Sequence, residues 1–289
     1  MIKIKPLKNT VAVKTANQHK KTKIIFALFF LFCASSINAI DFLPPKEVFA
    51  SPIADLTYPA FSTKYTLPVG KKNLAEISLG DEFGIMRFNF ENSFLQFGIM
   101  GGLVGRFDIS RITNDLQIAD YTLAFPFDYV NGKWILRLMY WHTSSHIGDD
   151  YIASNAITPP SLRKNVTDDV RILQSFDLFE WLRIYQGYFY SFNMLPDTDK
   201  PHGFNYGFEI YLPLTKDTPT KKQFFLASDF KALQRLGWQP SVNVRTGIEF
   251  GGEKNTLSLF TEFFAGHILY LGFMNRTETH WAFGFSFSR

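Results

Sequence analysis

From about Asn73 to the end of the chain, apolar and polar residues alternate with a period of two, in stretches of about ten residues. The alternation is clearest over 238–250. Trp238, Val242, Val244, Ile248 and Phe250 share one parity there, and Gln239, Asn243, Arg245 and Glu249 hold the other. It returns in Trp281, Phe283, Phe285 and Phe287 against Ala282, Gly284, Ser286 and Ser288, and again in Tyr121, Leu123, Phe125 and Phe127. Successive side chains of a strand point to opposite faces, so each stretch has one apolar and one polar face.

The pattern predicts about twelve strands, near 73–80, 83–91, 94–107, 116–127, 132–144, 166–178, 181–193, 203–213, 222–231, 238–250, 255–266 and 277–287. Short connections at 91–93, Asn131-Gly132, 179–180 and 251–254 alternate with longer ones at 108–115, 145–165, 194–202 and 267–276. An Asn-Gly pair is a strong signal for a tight hairpin. Gly98, Gly101, Gly102 and Gly105 contain two GxxxG spacings, but a helix-dimer motif needs an apolar 20-mer around it. Relief of crowding in a barrel wall is the better reading.

The polar parity separates a barrel from a soluble sandwich. It carries Asp120, Arg137, Arg171, Arg183, Glu209, Arg245, Glu249 and Glu262, and these need a wet or mutually paired interior. A membrane barrel lumen supplies one, while the large aromatic faces meet lipid. Past residue 39 there is no 18-residue apolar run, so helical spanning is excluded. The expected fold class is all-β, a transmembrane antiparallel β-barrel of about twelve strands, in a bacterial outer membrane.

Charge changes the picture at one end only. The formal net charge is +4, yet residues 1–39 hold seven of the 30 basic residues and no acid, leaving 23 basic against 26 acidic. Nucleic acid is therefore not an expected partner. Behind these lysines lies an apolar run, Ile24 to Ala34, then small and polar residues up to Ala39, which together describe a secretory signal. The predicted organisation is a signal peptide over 1–39, a proline-rich periplasmic arm or plug over 40–72, and a barrel over 73–289. The single cysteine, Cys33, falls in the leader, so disulfides and thiolate sites are excluded from the rest. The expected partners are outer-membrane lipids and, during biogenesis, the barrel-assembly machinery; oligomeric state is not readable.

One block concentrates chemistry: His142-Thr143-Ser144-Ser145-His146-Ile147-Gly148-Asp149-Asp150. On a strand, His142, Ser144 and His146 share a face at about 6.6 Å spacing, from the rise per residue. A serine nucleophile needs a base within reach that is itself oriented by a third group. Here His142 would be the base, His146 its rival, and Asp149 or Asp150 the orienting carboxylate. His142 and Ser144 continue the apolar parity of Trp134, Leu136, Leu138 and Tyr140, so they should face lipid. Polar residues at a barrel rim can equally be structural. No cofactor is expected; calcium held by Asp149, Asp150 and a histidine is the one metal reading the block allows.

The chain resembles an uncharacterised bacterial family, the domain of unknown function numbered 1207. The resemblance rests on Phe49-Ala50-Ser51-Pro52, Asp120-Tyr121, Trp134 with the His142–Asp150 block, Leu182–Gly187, Asp229 before Trp238, and Gly247-Ile248-Glu249. Family members usually end the block in Asp-Glu, from which Asp150 departs. This resemblance implies an outer-membrane location and no established activity. A thinner one, confined to His142-x-Ser144 and the architecture, is to outer-membrane phospholipase, and it implies a lipid-facing ester hydrolase; that family's pattern continues with a glycine and a downstream asparagine, where this sequence has Ser145-His146 and offers Asn155 or Asn165. Three functions follow: a structural or binding barrel at the cell surface, a serine-dependent lipid hydrolase of phospholipase or lipopolysaccharide-deacylase type, and a small-solute channel.

Cleavage is expected after Ala39. Terminal sequencing of exported protein should begin at Ile40, and a start upstream of Lys23 would refute the leader.

Overall fold

The computed structural model describes residues 38–44, 48–69, 72–110, 112–155, 165–215, 221–252 and 255–288. The predicted signal peptide lies almost wholly outside the described residues. Thirteen strands form one sheet: β1 (Ala39–Phe42), β2 (Phe61–Val69), β3 (Lys72–Asn89), β4 (Ser93–Asp108), β5 (Asp115–Asn131), β6 (Trp134–Ile147), β7 (Asn165–Phe179), β8 (Leu182–Leu195), β9 (His202–Pro213), β10 (Lys221–Leu233), β11 (Pro240–Gly251), β12 (Thr256–His267) and β13 (Thr277–Ser288). Each strand from β2 onward pairs antiparallel with the next, and β13 pairs back onto β2. The result is a closed twelve-strand antiparallel barrel. β1 lies outside that ring, against the length of β3 that β2 does not reach, with Ala39 opposite Asn89 and Phe42 opposite Met86.

The strand count matches the sequence expectation, but the first two strands do not. The predicted strands 73–80 and 83–91 are one strand, β3, and the missing one is β2, inside the segment assigned to the arm or plug. The cause is Gly80-Asp81-Glu82, which reads as a turn. In the barrel this is wall. A Cβ on Gly80 would lie 2.3 Å from Pro59 Cβ, and one on Gly102 would lie 2.5 Å from the same atom, so both glycines make room for the chain entering the lumen. In β2 the inward residues are Lys64 and Thr66, and the outward ones include Phe61 and Leu67.

Residues 48–60 pass through the lumen as irregular chain. Backbone polar groups there have no ladder to join and need side-chain partners. The wall supplies them. Arg183 Nη2 donates to Ala50 O at 2.7 Å, Arg245 Nη1 to Ile53 O at 2.8 Å, and Asn243 Nδ2 to Ala54 O at 2.8 Å, while Glu209 Oε1 accepts from Ile53 N at 2.8 Å. The Phe49 ring, fully buried, lies between the Arg137 and Arg183 guanidiniums at 4.8 and 5.0 Å from its centroid. Tyr58 packs on Trp141 with ring centroids 5.1 Å apart. The mid-lumen is thus a packed core of Phe49, Tyr58, Met100, Met139, Trp141 and Leu173.

Both ends of the twelve-strand ring lie at one mouth of the barrel, the terminal end. At the opposite, distal end a short helix, α1 (Asp149–Ser154), follows β6. Its Tyr151 packs with Ile118, Ile268, Tyr270 and Phe273 into a second cluster beneath the distal loops. Gly132, at φ +59°, provides the tight turn between β5 and β6.

Arg137 has no exposed surface and holds two carboxylates: Asp128 through Nε at 2.7 Å, and Glu82 through Nη2 at 2.6 Å and Nη1 at 2.7 Å. Arg137→Ala should cost about 3–5 kcal/mol, because it leaves Glu82 and Asp128 buried without a cation. Urea unfolding of the refolded barrel in vesicles measures this. The triple change Arg137→Met, Glu82→Gln, Asp128→Asn should lose less than the single one.

Candidate active site

Strand β6 runs from the terminal to the distal end, and its two parities face different surroundings. Arg137, Met139, Trp141 and Ser145 are buried inward, while Leu138 and His146 are exposed outward, with His142 and Ser144 between them in exposure. His142 and Ser144 therefore occupy neighbouring positions on the outer face, near the distal rim. Register completes the surroundings: His142 lies opposite Asp168 of β7 and Leu123 of β5, and Ser144 lies opposite Val166 and Tyr121.

The His142–Asp168 pair is bonded. His142 Nδ1 lies 2.7 Å from Asp168 Oδ1. Two further donors fix that carboxylate, Tyr140 Oη to Oδ1 at 2.6 Å and Asn193 Nδ2 to Oδ2 at 2.6 Å. With Nδ1 committed to a carboxylate, the imidazole has no partner at Nε2 among the described residues, the arrangement that makes a histidine an oriented base. The His142 side chain is 34% exposed and that of Asp168 12%. The Ser144 hydroxyl makes no hydrogen bond among the described residues, so the serine–imidazole contact expected from the i, i+2 spacing is not formed, to His142 or to His146.

The other residues singled out in the sequence are placed differently. His146 is exposed, with its ring edge-on to Tyr121 at 5.4 Å. Asp150 is not brought to His142. With Asp149 it starts α1, exposed in the first turn, after Gly148, whose N–H still donates to Gln117 O of β5 at 3.0 Å. The third group is Asp168, with Tyr140 and Asn193 behind it, and sequence reasoning missed all three. One signal marks Asp168: it shares the parity of Val166, Val170 and Ile172, where a carboxylate is out of place. Among the described residues no three histidine, cysteine, aspartate or glutamate side chains gather as metal ligands.

Inside the barrel, Asp120 accepts from the Ser145 hydroxyl and, at 2.8 Å, from Leu271 N, tying the 268–276 connection into the lumen. Arg171 pairs with Asp169 at 2.7 Å, Arg183 with Glu209 at 3.1 Å, and Arg245 with Glu262 at 2.6 Å. Glu262 also receives Lys64 at 2.5 Å. Glu249 is partly buried and accepts from Gln223 Nε2 at 2.6 Å.

The family model for proteins of unknown function DUF1207 matches residues 15–288. The chain belongs to that family. No curated protein sequence matches this DUF1207 chain significantly. Among solved structures it is similar to outer membrane phospholipase A of Escherichia coli, at 12% identity and a TM-score of 0.50, covering 88% of this chain and 95% of that one. It is also similar to the NanC porin, at 10% identity and 0.45, covering 80% and 100%. The β domain of the Bordetella autotransporter BrkA follows at 10% and 0.40, covering 78% and 96%. At these identities the likeness is one of fold, that of outer-membrane barrels.

Asp120→Ala removes the acceptor of the Leu271 amide and the Ser145 hydroxyl, at a cost of about 1–3 kcal/mol. Limited proteolysis should then cut within 268–276 faster than in the parent barrel, and an unchanged rate would deny the tether.

Proposed function

We propose that this protein spans a bacterial outer membrane and hydrolyses acyl esters of membrane lipids, with Ser144 as nucleophile, His142 as base and Asp168 as the group that orients the base. One observation carries the reading: a histidine–carboxylate hydrogen bond of 2.7 Å on the outer face of the wall, one same-face step from an uncommitted serine hydroxyl. Membrane lipid is the substrate class because an outward site near the rim meets acyl esters at the headgroup boundary, whereas a site in the lumen would not.

The chemistry balances within these residues. Ser144 Oγ attacks the acyl carbonyl while His142 Nε2 takes its proton, and Asp168 stabilises the imidazolium through Nδ1–H. The imidazolium returns the proton to the departing alcohol. Water, deprotonated by His142, then releases the fatty acid and restores Ser144. The same fold in E. coli outer membrane phospholipase A is compatible with such a site.

The second reading is a structural or surface-binding barrel. What favours it is that Tyr140, His142 and Asn193 also satisfy Asp168 as a carboxylate with no catalytic duty. A channel is disfavoured by the packed plug.

Refolded protein should release fatty acid from phospholipid or lipopolysaccharide in mixed micelles. Ser144→Ala and His142→Ala should abolish release, and Asp168→Ala should lower kcat by about 10²- to 10⁴-fold. Ser145→Ala, an inward residue, should keep it. Equal rates for parent and Ser144→Ala would leave the structural reading.

A further inference from the structure

The distal half of the lumen holds a chamber that the outward site does not use. It is lined by Leu56 and Thr57 of the plug, by the chain at Leu269–Leu271, and by Lys200 and His202 at the distal start of β9; its cavity volume is about 80 Å³. We propose that this chamber binds a small solute through a carboxylate or phosphate group, with Arg235 as the principal cation and His280 as a second donor.

Charge matching carries the argument. Three cations of the chamber already have carboxylates: Arg106 has Glu76 and Glu278, each at 2.8 Å, Arg171 has Asp169 at 2.7 Å, and Lys231 has Asp55 at 2.6 Å. Arg235 does not. It stands on the 3₁₀ turn Gln234–Leu236 after β10, and among the described residues its guanidinium reaches only the Met194 sulfur, Nη1 to Sδ at 3.5 Å. Burial and the neighbouring Arg171 charge hold it below its ordinary pKa, with Asp169 pulling the other way. A partly buried cation in that state is costly unless something pairs with it.

His280, from the opposite wall, lines the same chamber and is 6% exposed. Neither of its ring nitrogens has a hydrogen-bond partner among the described residues; Glu278 Oε2 faces Nδ1 at 3.6 Å, which leaves Nε2 as the donor. An oxyanion answers both deficits. Its oxygens suit the planar fork of an arginine, and a ring N–H can donate to it. The strands between chamber and outer face are continuous, so the anion arrives from the distal mouth as a solute and not as a headgroup within the bilayer. This proposal does not rest on the hydrolase reading.

The test is isothermal titration of the full-length refolded protein in neutral detergent. Inorganic phosphate and glucuronate serve as the two anionic probes, phosphatidylglycerol micelles as the lipid arm, and choline as the cationic control. At least one soluble anion should bind saturably, and choline should not. Arg235→Gln should weaken binding at least tenfold, Arg235→Lys should restore part of it, and Ser144→Ala should leave it unchanged. Phenylglyoxal labelling of wild-type protein gives a readout that needs no variant: the bound anion should slow modification of Arg235. Binding by neither soluble anion, binding only by the anionic micelles, equal binding by Arg235→Gln, or no protection of Arg235 would each overturn the proposal.

Discussion

An arginine without exposed surface, Arg137, cannot stand in a barrel unless the barrel is built around it. Its guanidinium needs two carboxylates in place at once: Asp128 comes from the adjacent strand β5 and Glu82 from β3, three strands away. Phe49 of the plug then covers the ion cluster and excludes water. The same logic runs along the lumen: Arg183, Arg245 and Asn243 turn from the wall to the plug's carbonyls, and Lys231 takes Asp55. Neutralising the inward parity is the constraint on which the rest depends. It fixes the path of residues 48–60 and closes the mid-lumen.

That constraint reaches the outer face through strand parity. A slip of one residue in β6 would send Arg137 to the outer face and His142 into the lumen, because the side-chain period is two. The cost of an arginine in hydrocarbon, about 2–4 kcal/mol at the bilayer midplane, opposes the slip before packing is counted. The ion pairs of the lumen therefore hold the register that sets His142 opposite Asp168. Positioning of the outward site is paid for on the inward one.

Much of this was legible as parity. Alternation alone places Arg137, Arg171, Arg183, Glu209, Arg245 and Glu262 on one face and Tyr140, His142 and Ser144 on the other, and the buried pattern of the strands agrees residue by residue. Two things were not legible. The strand β2 hides among prolines, and β3 carries Gly80-Asp81, because the wall there is shaped by the plug, a long-range contact that no local pattern encodes. Asp168 was missed for a related reason. His142 and Asp168 are 26 residues apart, and only the β6–β7 register brings them opposite each other. A search within the His142–Asp150 block could find the base and the serine but not the acid.

The last link is a one-residue irregularity. Adjacent carboxylates Asp168 and Asp169 point to opposite faces, so one strand position serves the outward site and the next serves the chamber. In an unbroken ladder, the pairing of Asp169 with Ser191 would set Phe192 opposite Asp168. Instead the register shifts between Asp168 and Asp169, and Asn193 takes that place. The shift lets Ser191 donate to Asp169 at 2.7 Å on the inside while Asn193 donates to Asp168 at 2.6 Å on the outside. A bulge re-aims side chains at the price of one ladder step. Here it replaces a phenyl ring with an amide beside the carboxylate that orients His142, without disturbing the ion pair of Arg171 behind it. Both faces of the wall thus keep their own chemistry through a single inserted residue.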